Sequence, residues 1–132
     1  MSTFVDTSAF LAVLDASDTN HGRARRRWRA LVEAEETLVC TSYVLLETFA
    51  LLQSRLGQAA ARAFQEDVVP WLAVAWIDKD AHAEAVAALL ISGRRRLSLV
   101  DCASFEVMRR TGLKRAFGYD RHFAEQGFQL LG

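Results

Sequence analysis

No apolar run in this sequence approaches the roughly 18 uncharged residues needed to cross a bilayer. The opening Met1-Ser2-Thr3-Phe4-Val5-Asp6 has no basic stretch ahead of an apolar one. A membrane span and a secretory signal are therefore not expected, and a soluble, cytoplasmic protein is. Cysteine is scarce. Cys40 and Cys102 lie far apart among apolar neighbours, without metal-type spacing, and read as buried reduced thiols. Net charge is absent too, with 16 basic and 16 acidic residues, so no global field draws the chain to nucleic acid. Internal repeats, low-complexity segments and linkers are likewise missing. What remains is 132 residues, 52% of them hydrophobic, enough to bury one core in a single domain spanning 1–132.

Lysine is also rare: only Lys79 and Lys114, against fourteen arginines. Arg clusters at Arg23, Arg25, Arg26, Arg27 and Arg29, and again at Arg94, Arg95 and Arg96. Such clusters suit bidentate contact with phosphate or carboxylate, although a solvated helix face has the same composition.

Hydrophobic periodicity divides the chain into alternating strands and helices. Thr3-Phe4-Val5 reads as a strand ending at Asp6, and Thr7 to about Leu14 as a helix. An Arg-rich helix runs from about His21 to Ala34, and Thr37 to Thr41 is a second strand. Ser42 reads as the N-cap of a helix to Leu56, closed by Gly57, and a further helix covers Gln58 to about Val69 before Pro70. Trp71 to Ile77 reads as the third strand, and Asp80 to Leu90 and Leu99 to Arg110 as helices. Arg115 to Tyr119 is the fourth strand, Arg121 to Glu125 a helical turn, and Phe128 to Leu131 the fifth strand. This alternation predicts an α/β fold with a mostly parallel sheet, whose ligand sites lie beyond the carboxyl ends of the strands.

Four acids fall at that edge: Asp6 after the first strand, Glu47 one turn into the helix after the second, Asp101 opening a helix, and Asp120 after the fourth strand. Each has a plainer explanation. Asp6 and Asp120 suit N-caps, and Ser98-Leu99-Val100-Asp101 has capping-box spacing. Glu47 is harder to explain this way. Its neighbours at helical spacing are apolar, which predicts a buried carboxylate in need of an Arg or a cation. Four clustered carboxylates do not stay ionised unaided, and a hard divalent ion, Mg²⁺ or Mn²⁺, resolves the repulsion. Ser8, two residues after Asp6, is placed to reach a metal-held water or a phosphate oxygen, or else to make a local turn hydrogen bond.

Val5-Asp6-Thr7-Ser8-Ala9, Leu46-Glu47-Thr48, Leu97-Ser98-Leu99-Val100-Asp101-Cys102-Ala103 and Tyr119-Asp120-Arg121-His122-Phe123 resemble the successive motifs of the PIN domain. More narrowly, they resemble the toxin ribonucleases of VapBC toxin–antitoxin pairs, with His21-Gly22-Arg23-Ala24 also fitting. The resemblance implies a three-layer α/β/α domain with a five-stranded sheet, and Mg²⁺- or Mn²⁺-dependent endoribonuclease activity. It further implies homodimers and a VapB-type antitoxin that inserts a peptide into the active-site groove. Asp6, Glu47, Asp101 and Asp120 match the acidic set, and Ser8 its accompanying hydroxyl. Some members carry a further acid after the fourth; Arg121 and His122 stand there, leaving one ion or two open.

The expected reaction is hydrolysis of an RNA phosphodiester by metal-activated water, with Asp6 and Asp101 as principal ligands or water-holders. Glu47 and Asp120 then complete the cage, and Arg94, Arg95 and Arg96 are candidates for flanking phosphates. Haloacid-dehalogenase chemistry needs a second Asp where Ser8 stands, and dinucleotide binding needs a G-x-G-x-x-G that is absent. A receiver domain needs a paired acidic start and a strand-end Lys. A structure-specific DNA nuclease of the same fold and a non-catalytic acidic binding module remain as alternatives. Trp71, Trp76 and Phe49 read as core or dimer contacts, and His82 as a surface residue. His21 and His122 are left out of the ligand set. The apolar excess from Leu45 to Leu56 suits self-association or a buried core helix.

Overall fold

A computed structural model describes Met1 to Gly132. Five strands form one sheet in the order β3-β2-β1-β4-β5, with β1 at Ser2–Val5, β2 at Thr37–Thr41, β3 at Leu72–Ala75, β4 at Arg115–Phe117 and β5 at Gln129–Leu131. Every pairing is parallel. In the central strand Thr3, Phe4 and Val5 are all buried, as expected where helices cover both faces of a parallel sheet. The helices are α1 at Thr7–Leu14, α2 at His21–Glu33, α3 at Ser42–Leu56, α4 at Gln58–Ala63, α5 at Lys79–Ser92, α6 at Leu99–Thr111 and α7 at His122–Glu125.

Right-handed crossovers place helices on opposite faces when the strand order reverses direction. Two aromatic clusters mark the layers. Phe10 of α1 packs edge-on against Trp28 and Phe64, and Phe64 against Phe49. Phe123 of α7 meets Phe4, Phe105 and Phe128. Phe49 is thus a core contact as expected. Trp71 and Trp76 are not core residues: at 59% and 77% exposed they flank β3, an edge strand. The α/β fold with a five-stranded sheet expected from the sequence is present, and the sheet is parallel throughout.

Local departures have local causes. Thr41, not Ser42, caps α3, accepting a hydrogen bond from Val44 N at 3.0 Å. The Ser42 hydroxyl instead accepts from Ile77 N at 2.9 Å, tying α3 to the segment after β3. The helix expected over Gln58 to Val69 is α through Ala63 only. It widens to a π turn at Phe64–Val68, burying Phe64 and Val68, and tightens to a 3₁₀ turn at Val69–Trp71. Pro70 cannot donate to a continuing helix, so the chain passes directly into β3. Asp78 caps α5 through Ala81 N at 2.8 Å, so that helix begins at Lys79, before the expected Asp80.

Topology then fixes where a site belongs. From β1 the chain steps outward to β2 and β3, then returns to the other side of β1 for β4 and β5. The reversal lies between β1 and β4, and the crevice beyond their carboxyl ends is where this class of sheet binds ligands. Asp6 follows β1 there, and Gly118, Tyr119 and Asp120 follow β4.

Candidate active site

Asp6 leaves β1 with its amide donating to Phe117 O at 3.0 Å, so the ladder extends one residue past β1. It then caps α1: its Oδ2 accepts from Ser8 N at 3.3 Å and from Ser8 Oγ at 2.7 Å. The Ser8 hydroxyl in turn accepts from Tyr119 N at 2.9 Å. One serine therefore joins the ends of β1 and β4, making the expected local hydrogen bond to Asp6 and a long-range one from Tyr119. Asp101 sits in a capping box, its Oδ2 accepting from Ser98 N at 3.1 Å while Asp101 N donates to Ser98 Oγ at 3.1 Å. Asp120 Oδ1 accepts from His122 N at 2.9 Å and lies 2.8 Å from His122 Nδ1.

The caps anticipated from the sequence at Asp6 and Asp101 thus exist, yet they do not account for the residues. In each of these three aspartates one oxygen takes all the protein's own hydrogen bonds, and the other has no protein partner. None of Asp6, Glu47, Asp101 or Asp120 forms an ion pair with Arg or Lys. All four, with Ser8, line a single cavity of about 280 Å³.

Electrostatics follow from that crowding. Asp6 is 4% exposed. Burial pushes its carboxyl up to about 7, with the charges of Asp101 and Asp120 adding to the rise and the Ser8 hydroxyl opposing it. Asp101 is raised in the same sense, first by burial and then by Asp120, against the opposing Ser98 amide. The buried thiols of Cys40 and Cys102 are raised as well, Cys40 to about 12, consistent with inert core residues.

Glu47 requires correction. It reaches the cavity from α3 as expected, but it is half-buried, not enclosed among apolar neighbours, and Leu46 beside it is 70% exposed. The apolar excess of α3 thus turns partly outward, and no burial penalty forces a partner on Glu47. Among the arginines expected to meet phosphate, Arg94 pairs with Glu125 at 3.0 Å, whereas Arg96 lines the cavity. His82, on the surface as expected, hydrogen-bonds Tyr43.

Two participants escaped the sequence reading. Ligand atoms of Asp101, Asp120 and His122 lie within 4.8 Å of one another, so His122 belongs to the cluster after all. Its spacing, two residues past Asp120, was the available signal. Gly118 is the other: a Cβ there meets Asp6 Cβ at 3.0 Å and Ser8 Oγ at 3.1 Å. Only a residue without a side chain leaves the Asp6–Ser8 pair undisturbed.

The unengaged carboxylate oxygens, with the unpartnered Thr7 hydroxyl, fit a hard divalent cation. Residues 3–129 match the PIN domain family. The chain belongs to that family. This PIN domain is 34% identical over 126 residues to the 23S rRNA-specific endonuclease VapC20 of Mycobacterium tuberculosis, covering 95% of this chain and 94% of the relative. The crystal structure of M. tuberculosis VapC20, a Sarcin-Ricin loop cleaving toxin, superposes with a TM-score of 0.83 at 33% identity over 96% of this chain and 95% of that one. FitAcB from Neisseria gonorrhoeae shares the fold at a TM-score of 0.69 and 13% identity, covering 100% of this chain and 97% of that one. DNA-bound VapBC from Salmonella typhimurium does so at 0.62 and 16%, covering 99% and 98%. No helix of this PIN domain is long and apolar enough to cross a membrane.

Proposed function

We propose that this PIN domain is a divalent-metal-dependent endoribonuclease, the toxin of a type II toxin–antitoxin pair, hydrolysing RNA phosphodiester bonds. One observation carries the reading: four carboxylates from four separate segments line one cavity with no Arg or Lys neutralising them. A binding module that used its acids only as caps has no reason to gather them. The relative's naming as a 23S rRNA-specific endonuclease makes ribosomal RNA the first substrate to try.

Asp6, Asp101, Asp120 and Glu47 hold Mg²⁺ or Mn²⁺ in this scheme. A divalent ion there supplies Lewis acidity toward water and the phosphate oxygens. The protein's own part is positional. Ser8 fixes Asp6, Ser98 fixes Asp101 and His122 fixes Asp120. Glu47, half-buried and without a partner, would complete the cage with Asp120 and orient the attacking water. Arg96 is the one cation lining the cavity and holds the RNA phosphate. A homodimer and a cognate VapB-type antitoxin that covers the cavity complete the proposal.

The test is incubation of the purified protein with total RNA in Mg²⁺ or Mn²⁺, alongside EDTA and the Asp6→Asn variant. Discrete cleavage that EDTA and Asp6→Asn both abolish is expected. Equal cleavage by Asp6→Asn would overturn the assignment.

A further inference from the structure

Beyond the acidic cavity lies a second groove of about 490 Å³, lined by Arg23 and Arg27 of α2, by Gly118 and Tyr119, and by β5. The two sites share a wall. Gly118 backs onto Asp6 and Ser8 on one side and lines this groove on the other. Tyr119, whose amide is bonded to Ser8 Oγ, immediately precedes Asp120.

The groove's charge is available. Arg62, Arg94, Arg110, Arg115 and Arg121 all form ion pairs, but none of the five arginines of α2 does. Arg23 and Arg27 stand four residues apart, on one face of the helix. Arg27 is half-buried and lines the groove. The Arg23 guanidinium lies over the Tyr119 ring, 5.7 Å from its centroid, a cation–π contact that holds its long side chain at the groove. A solvated helix face needs none of this.

We propose that Arg23 and Arg27 form a phosphate subsite for single-stranded RNA, gripping the backbone beside the scissile bond, with Tyr119 positioning Arg23. This rests on the nuclease reading and deepens it. The acidic cavity repels the RNA backbone wherever no cation stands, so the substrate needs positive charge next to the carboxylates. Arg96 supplies it within the cavity, and Arg23 and Arg27 supply it across Gly118.

The test measures fluorescence anisotropy of a labelled, mixed-sequence single-stranded oligoribonucleotide, with EDTA present so that nothing is cut. Arg23→Gln/Arg27→Gln is compared with Arg25→Gln/Arg29→Gln, which removes equal charge from the same helix outside the groove. The groove variant is expected to bind about tenfold more weakly. Its salt dependence should be shallower by about 1.4 in log–log slope, at roughly 0.7 per phosphate contact on a single strand. The control should lose far less. Tyr119→Phe, which keeps the ring, should bind like the parent, and Tyr119→Leu should follow the groove variant. In cleavage with Mg²⁺ the groove variant should show mainly a raised KM. Equal losses in the two double variants, with the parent binding and cutting RNA, overturn the subsite and leave the nuclease standing. A parent that neither binds nor cuts RNA overturns both. A groove that takes a poly-glutamate peptide through Arg23 and Arg27, while RNA binding ignores them, is a protein-docking site and also overturns the proposal.

Discussion

Asp6 is simultaneously a helix cap and a misfit. Its two bonds from Ser8 stabilise α1, but burial beside Asp101 and Asp120 makes its ionised form costly. The sign of the consequence follows from linkage. A carboxyl whose folded pKa is raised loses its proton first in the unfolded chain, so folding stability falls as pH climbs from about 4 to about 7. Three pKa units correspond to ~4 kcal/mol at most. Without divalent ions at pH 8, Asp6→Asn should therefore melt several degrees above the parent, although it is expected to be inactive. Added Mg²⁺ should raise the parent's melting temperature more than the variant's. A parent that melts higher than Asp6→Asn in EDTA contradicts this account. Gly118 gives a second measurement at the same scale. Gly118→Ala drives a methyl against Asp6 and Ser8, and cleavage should drop about tenfold or more with the secondary structure unchanged by circular dichroism.

Among the elements, α6 matters most to the site because its first turn carries Asp101. Ser98→Ala removes the cap acceptor, at about 1 kcal/mol of stability, and leaves Asp101 held only by the Ser98 amide. A loss of RNA cleavage larger than that small destabilisation explains is expected, read from rates well below the melting transition. The capping box and the acidic cavity share Asp101, which is why the sequence pattern supported both readings and could not separate them. The strands were legible because their composition is local: TLVCT is a strand with the bounds read from it, and the acids that follow strands fall on the expected edge. Features that depend on what arrives from elsewhere were not legible. Glu47 looked enclosed because its helix is apolar, but the neighbouring layer leaves Leu46 and half of Glu47 uncovered. Nothing near Gly118 in the sequence announces that Asp6 will lie against it. The π turn at Phe64–Val68 likewise reflects a demand for two buried side chains before Pro70, not a local propensity.

For the whole molecule, the two edges of the sheet make opposite demands on pH. At the amino edge, Thr3 and Arg115 both bond Glu36, drawing β1, β4 and the start of β2 together. The Thr3 hydroxyl, then the Arg115 charge, hold Glu36 below the usual carboxylate range. Its contribution is present above the unfolded glutamate value, about 4.3, and fades as pH falls through the lowered folded one. Asp6 acts in reverse at the carboxyl edge. In EDTA the stability curve should therefore peak in mild acid, near pH 4 to 5. Glu36→Gln should flatten its acid limb and Asp6→Asn its neutral limb in a pH series of denaturant melts. A maximum at neutral pH in the metal-free parent would contradict both assignments.

The strand order also carries a consequence for synthesis. β1 leaves the ribosome first, but its neighbour β4 and the Phe117 carbonyl that receives the Asp6 amide come more than a hundred residues later. Until then the first carboxylate faces an open edge, with neither Asp120 nor Tyr119 to complete its surroundings. A nascent or prematurely terminated chain thus carries the earliest part of the catalytic centre without the latest. A nuclease assembled this way gains its full set of carboxylates only after β4 has been made.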